Sequence, residues 1–123
     1  MLRKPGEIGA EMEAIARKFL ERNGLRFLEA NFRSRFGEID LVMRDGDAIV
    51  FVEVRHRKSD RFGDAAETVD RSKRLKLTRA ARHYLQRHPS LVDHPCRFDI
   101  IATSRREGQI DRWIQDAFLV EDS

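Results

Sequence analysis

Apolar residues recur at helical spacing near the start of the chain, where Ile8, Met12, Ile15, Ala16, Phe19 and Leu20 fall on one stripe. The stripe stops at Asn23-Gly24, where glycine can take the left-handed conformation that ends helices, so the pattern predicts a helix over about residues 6–23. Leu25 to Phe32 is rich in apolar and aromatic side chains and reads as a strand, with Arg33, Ser34 and Arg35 leading to Gly37. A second strand is expected from Glu38 to Arg44, a turn at Asp45-Gly46-Asp47, and the longest strand from Ala48 to about Arg57. Ser59, Asp60, Gly63 and Asp64 mark residues 58–67 as a loop, and the stripe of Leu77, Ala80, Ala81, Tyr84 and Leu85 predicts a second helix over roughly 69–86. Pro89 and Pro95 bound a short connection, Arg97 to Thr103 predicts a strand, and Ile110 to Val120 a last short strand with a helical turn. This order predicts the α/β class, one sheet with helices packed against it.

The two central strands carry acids in apolar settings: Asp40 within Ile39-Asp40-Leu41-Val42, and Glu53 at the end of Ile49-Val50-Phe51-Val52. Because side chains alternate along a strand, Glu38 and Asp40 share a face, as do Glu53 and Arg55. A two-residue loop at Asp45-Gly46 would set Glu38 opposite Glu53, and a four-residue loop at Asp45 to Ala48 would set Asp40 opposite Glu53. Either register gathers three acids on one side, whereas a three-residue loop without a bulge would break the parity. One reading is a solvated sheet face neutralised by Arg33, Arg35 and Arg55. The other is a divalent-cation site, because facing carboxylates within a sheet repel and lose hydration unless something compensates. The apolar flanks favour the second, with Mg²⁺ or Mn²⁺ held by hard oxygen ligands from Asp40 and Glu53. Glu13, three residues before Ala16 and seven before Leu20, lies at the edge of the first helical stripe and can supply a third acid.

Composition sets bounds on this picture. With 123 residues, 41% hydrophobic and 37% charged, the chain suits a single domain spanning 1–123 with a core under a charge-dense surface, which excludes a membrane protein and a wholly disordered one. The single cysteine, Cys96, precludes an intrachain disulfide and has no Cys-x-x-Cys neighbour to bind zinc. The opening residues lack the apolar run of a signal peptide, so a cytoplasmic location without membrane attachment is expected. The formal charge of +3 is small, but its cations gather around the hairpin: Arg33 and Arg35 before it, Arg55, His56, Arg57, Lys58 and Arg61 after it, and Lys73, Arg74 and Lys76 at the second helix. Acids inside a basic surround suit a nucleic acid, with cations on phosphates and carboxylates holding metal at the bond to be cut. The histidines show no metal spacing, and Trp113 and Phe118 are expected to anchor the C-terminal segment in the core.

Gly37-Glu38-Ile39-Asp40-Leu41, followed after the hairpin by Phe51-Val52-Glu53-Val54-Arg55-His56-Arg57, resembles the YraN family of bacterial proteins. The likeness extends to Glu13, Ala16, Phe19-Leu20, Gly24, Asn31, Gly63, Lys73, Tyr84-Leu85, Cys96-Arg97-Phe98-Asp99, Trp113-Ile114 and Asp116-Ala117-Phe118, in the family's order over nearly the whole chain. The resemblance implies a restriction-endonuclease-like fold of the PD-(D/E)XK superfamily: a mixed sheet flanked by helices, an acid on one strand and Glu-x-Lys on the next. Asp40 and Glu53 match those acids, and Glu13 is similar to the first-helix glutamate of the Holliday-junction resolvase branch. Arg55 stands where the superfamily has lysine; being permanently charged, it can stabilise charge or orient water but is a poor general base. Lys73, four residues before Leu77 on the inward stripe, reads either as a replacement cation near the scissile phosphate or as a stem snorkelling from the helix end.

These readings converge on a metal-dependent endonuclease acting on DNA, with branched structures and a homodimer implied by the resolvase likeness. Asp40, Glu53, Arg55 and Lys73 are the expected catalytic set; Glu13, Asp40 and Glu53 the metal ligands; Arg33, Arg35, Arg57, Lys58 and Arg61 the nucleic-acid contacts. The competing expectations are a nucleic-acid-binding module that does not cleave, and a protein-interaction domain with an acidic docking surface.

Overall fold

The computed structural model describes residues 5–56, 69–103 and 109–119, with side chains from Gly9 onward. Helix α1 (Pro5–Arg22) is followed by strands β1 (Arg26–Ser34), β2 (Gly37–Asp45) and β3 (Ala48–His56), helix α2 (Arg71–Gln86), a 3₁₀ turn at Pro89–Leu91, and strands β4 (Cys96–Thr103) and β5 (Ile110–Phe118). The α/β expectation holds: five strands in the order β1-β2-β3-β4-β5 form one mixed sheet, antiparallel except for the parallel β3/β4 pair. Parallel neighbours require a crossover, and α2 with its connection to β4 supplies it.

Alternation along β3 explains how one sheet serves two helices. Ile49 and Phe51 pack with Leu77, Ala80, Ala81 and Tyr84 of α2, whereas Val50 and Val52 pack with Ala16 and Leu20 of α1. The two helices therefore cover opposite faces, and β3, fully buried at its centre, is apolar on both. Helix α1 ends as its sequence predicts. Gly24 has φ of +92°, the Leu25 N–H donates to the Leu20 carbonyl (3.1 Å) and the Gly24 N–H to the Glu21 carbonyl (3.0 Å), which is the Schellman pattern. Helix α2 begins two residues later than the apolar stripe suggests, because the Asp70 carboxylate caps it by accepting the Lys73 N–H at 2.9 Å.

At the C-terminal end the expected helical turn is absent among the described residues, and β5 continues as strand to Phe118. Its register against β4 slips between Phe98 and Ile100, and Asp116, at φ of +51°, turns its N–H onto the buried Asp99 carboxylate (2.9 Å). A side chain here takes the place of the backbone ladder. Trp113 packs on the α1 side, edge-on to Phe19, and Phe118 stacks on Phe98 at 4.7 Å, so both anchor this segment as expected. No helix among the described residues is long and apolar enough to cross a membrane.

Candidate metal and phosphodiester site

The hairpin pairs Asp45 with Ala48 and Leu41 with Val52, around a two-residue turn at Gly46-Asp47 in which Gly46 takes φ of +58°. This is the register that sets Asp40 opposite Glu53. Pairing ends at Leu41, however, and beyond it the Asp40 carboxylate enters the gap between the strands, where Oδ2 accepts the Val54 N–H at 2.8 Å.

The simple alternation that would gather Glu38, Asp40 and Glu53 on one face breaks at the same point. Ile39 packs in the α2-side cluster while Leu41, two residues on, packs in the α1-side cluster. The neighbouring strand bends in step, with Asn31 at φ of +54° between the pairs Ala30/Leu41 and Phe32/Ile39. As a result Glu38 and Asp40 meet Glu13 of α1, and carboxylate oxygens of all three lie within 4.8 Å of one another. Glu53 stays with α2: its Oε1 lies 3.6 Å from Lys73 Nζ and 3.6 Å from Arg55 Nε. Asp40, in the gap, belongs to both groups.

The electrostatics follow from this placement. Burial and then the neighbouring Asp40 charge push the Glu53 carboxyl up to about 7, against the pull of Lys73 and Arg55. Burial likewise raises Asp40, offset by the Val54 N–H, raised further by Glu38, and offset by Lys73 and Arg55. Glu13 is raised by burial and by Asp40, with an Asn31 hydrogen bond opposing. Glu53 is only 7% exposed, which excludes the solvated-face reading for this acid. Its second oxygen, Oε2, is buried with no hydrogen-bond partner among the described residues. Such an atom is costly unless something unseen by the protein alone completes its coordination.

The donor set fits a hard divalent cation: all its ligand atoms are carboxylate oxygens, they repel one another, and one nearby oxygen is orphaned. Of the acids expected from sequence, Glu13 and Asp40 come together, and Glu53 stands beside Asp40 under its two cations. Glu38 joins the ligand cluster although only Glu13, Asp40 and Glu53 were expected as metal ligands; the signal was its shared parity with Asp40. Lys73, partly exposed, places its ammonium 3.6 Å from Glu53 Oε1, so it pairs with one of the expected acids. Arg33 pairs with Glu38 at 3.8 Å from the surface, and Arg35 lies over the Phe36 ring at 4.9 Å. Arg57, Lys58 and Arg61 lie outside the described residues.

Fold and site together define a class: a mixed-sheet α/β protein in which one helix and a splayed strand pair bring four acids to one gap and the second helix adds a lysine. The chain belongs to the Uncharacterised protein family UPF0102, whose family model matches residues 12–103, a span that contains Glu13, Glu38, Asp40, Glu53, Arg55 and Lys73. It is 52% identical over 116 residues to a UPF0102 protein of Xylella fastidiosa, covering 94% of this chain and 95% of that one. It is 53% identical over 114 residues to a UPF0102 protein of Xanthomonas euvesicatoria pv. vesicatoria, covering 93% of each. A UPF0102 protein of Xanthomonas oryzae pv. oryzae is 52% identical over 114 residues, again 93% of each chain.

Proposed function

We propose that this protein is a metal-dependent DNA endonuclease of the cytoplasm that hydrolyses phosphodiester bonds at the Asp40 gap. The observation that carries the reading is the convergence of Glu13, Glu38 and Asp40 oxygens within 4.8 Å beside the orphaned Oε2 of buried Glu53. Glu13, Glu38 and Asp40 would hold Mg²⁺ or Mn²⁺, with Glu53 completing the oxygen set. Bound there, the cation supplies a Lewis acid for the phosphate and lowers the pKa of water. Asp40 is fixed by the Val54 N–H, and Glu53 by Lys73 and Arg55, so neither carboxylate has to reorganise when substrate arrives. Arg55, always protonated, and Lys73 oppose the charge that grows on the phosphate oxygens, while Arg33 and Arg35 at the near rim meet the flanking backbone. Branched DNA, presented to two sites of a homodimer, is the substrate class that the resolvase likeness supports.

A second reading has its own observation: Arg55 in place of lysine, clamped on Glu53, suits a module that binds nucleic acid without cutting it. Purified protein incubated with labelled junction, flap, single-stranded and duplex DNA plus Mg²⁺ or Mn²⁺ separates the two. Cleavage of at least one substrate is expected, with Asp40→Ala and Glu53→Ala each lowering the rate roughly a hundredfold or more, the scale of losing a preorganised charge in a dry site. Salt-sensitive binding without cleavage in either metal would favour the non-cutting module, and no binding at all would leave the acids as a protein-docking surface.

A further inference from the structure

We propose that the groove between the β1–β2 turn and α2, lined by Arg35, Phe36, Arg79, Arg82, His83 and Gln86, holds a single-stranded segment of DNA continuous with the strand bound at the acid gap. This rests on reading that gap as a phosphodiester site. The groove has a volume of about 340 Å³, and its lining brings three guanidinium groups together with two aromatic rings and no carboxylate. The rings are adjacent, His83 standing 6.3 Å from Phe36 and 5.9 Å from Phe32, and the Arg35 guanidinium lies over Phe36. Cations for phosphates beside an aromatic face for a base is the composition that single-strand sites use. Phe36 is half-buried in the groove, so only an unpaired base can present its face to it.

The groove is also joined to the acids. Phe36 precedes Glu38 by two residues, and the intervening Gly37 lies so close to α2 that a methyl group there would touch the Lys76 Cβ at 3.5 Å. Lys73, Lys76 and Arg79 follow at intervals of three, with His83 four further on, so they run along one side of α2 from the Glu53 carboxylate to the groove. Ten residues of helix span about 15 Å, room for roughly four phosphates at B-form spacing along one strand. A strand gripped at the gap thus meets a row of cations and then a site for an unstacked base.

The test uses full-length protein in EDTA, so that binding is read without cleavage, and fluorescence anisotropy with a duplex that is either blunt or carries a single-stranded tail. Wild type is expected to bind the tailed duplex about tenfold tighter or better, an advantage of the size that stacking one base gives. The double variant Arg79→Ala, Arg82→Ala should lose that advantage and lower the salt slope on tailed DNA by about 1.4, at about 0.7 per single-strand phosphate contact. Its affinity for blunt duplex should fall by less than its affinity for the tailed one, since only Arg79 also belongs to the row of cations leading from the gap. Phe36→Ala should lose the tail preference and Phe36→Trp should keep it, with unchanged melting temperatures showing that the variants fold. A wild type that ignores tails, or variants that bind tails as wild type does, overturns the groove. Cleavage in Mg²⁺ is scored separately: cutting without tail preference sinks the groove and spares the nuclease, whereas tail binding lost in the double variant without any cutting sinks the nuclease and spares the groove.

Discussion

Two buried or half-buried aspartates interrupt ladders of this sheet, and their surroundings differ in kind. Asp99, with no exposed surface, receives the Arg97 guanidinium at 3.0 and 3.2 Å, the Trp113 indole N–H at 2.9 Å and the Asp116 N–H at 2.9 Å. Its charge is met inside the protein, and it reads as architecture. Asp40 accepts the Val54 N–H and faces Glu13, Glu38 and Glu53, with Lys73 and Arg55 acting on it from farther along the gap. A charge only partly offset, beside three more of its own sign, marks a place prepared for something else. The consequence for Glu53 is testable. Its folded-state carboxyl titrates near 7 rather than at the ordinary 4.5, so its contribution to stability is complete below about 4.5 and is lost as pH rises through about 7. Metal-free protein is therefore expected to melt at a lower temperature at about pH 8 than at about pH 5.5, with a loss on the order of 1 to 3 kcal/mol. Glu53→Gln should flatten that profile; scanning calorimetry across the range checks it, and an unchanged slope in the variant would remove Glu53 as the cause.

The elements were legible in the sequence where a local rule fixes them, and less so where a buried side chain overrides the rule. Periodicity and Asn23-Gly24 mark α1 and its end because the Schellman turn needs only a glycine and the Leu20/Leu25 contact. The hairpin register was bracketed from its turn, since the turn sets the pairing for the whole ladder as far as Leu41. What the alternation rule did not foresee is the switch between Ile39 and Leu41, which depends on the left-handed Asn31 in the adjacent strand and on a helix packed below. It turns Glu38, expected only to share a face with Asp40 and Glu53, toward Glu13. The tail of the chain was misread as turning helical for a related reason: its bulge follows from the long-range bond to Asp99, which no local propensity reports. That dependence predicts a large effect. Asp99→Ala would leave Arg97, Trp113 and Asp116 donors without their acceptor in a dry site, and should cost about 3 to 5 kcal/mol in urea denaturation. Asp99→Asn, which keeps the shape and loses the charge, should cost less, and β5 amides should exchange with deuterium sooner than those of β3 in both variants.

Across the whole molecule, opposite faces of one sheet are joined at the Asp40 gap: α1 brings Glu13 from one side, and α2 brings Lys73 to Glu53 on the other. The net charge of +3 averages over this arrangement of acids inside and cations around. Because the acids come from α1, β2 and β3, a cation bound among them would tie three elements whose charges otherwise push them apart. Binding to the folded form alone stabilises it, by about 2.7 kcal/mol at a hundred times the dissociation constant. Mg²⁺ or Mn²⁺ should therefore raise the melting temperature at neutral pH and EDTA should reverse the rise. Asp40→Asn and Glu13→Gln give the discriminating result, since each removes one like charge while keeping an oxygen acceptor for the Val54 N–H or the Asn31 amide. Without metal, both variants should melt at or above the wild-type temperature, because repulsion is relieved. With metal, both should fail to gain. A site that merely decorates the surface would show neither half of this pattern, and a variant that still gains the full metal-dependent rise would take its residue out of the ligand set.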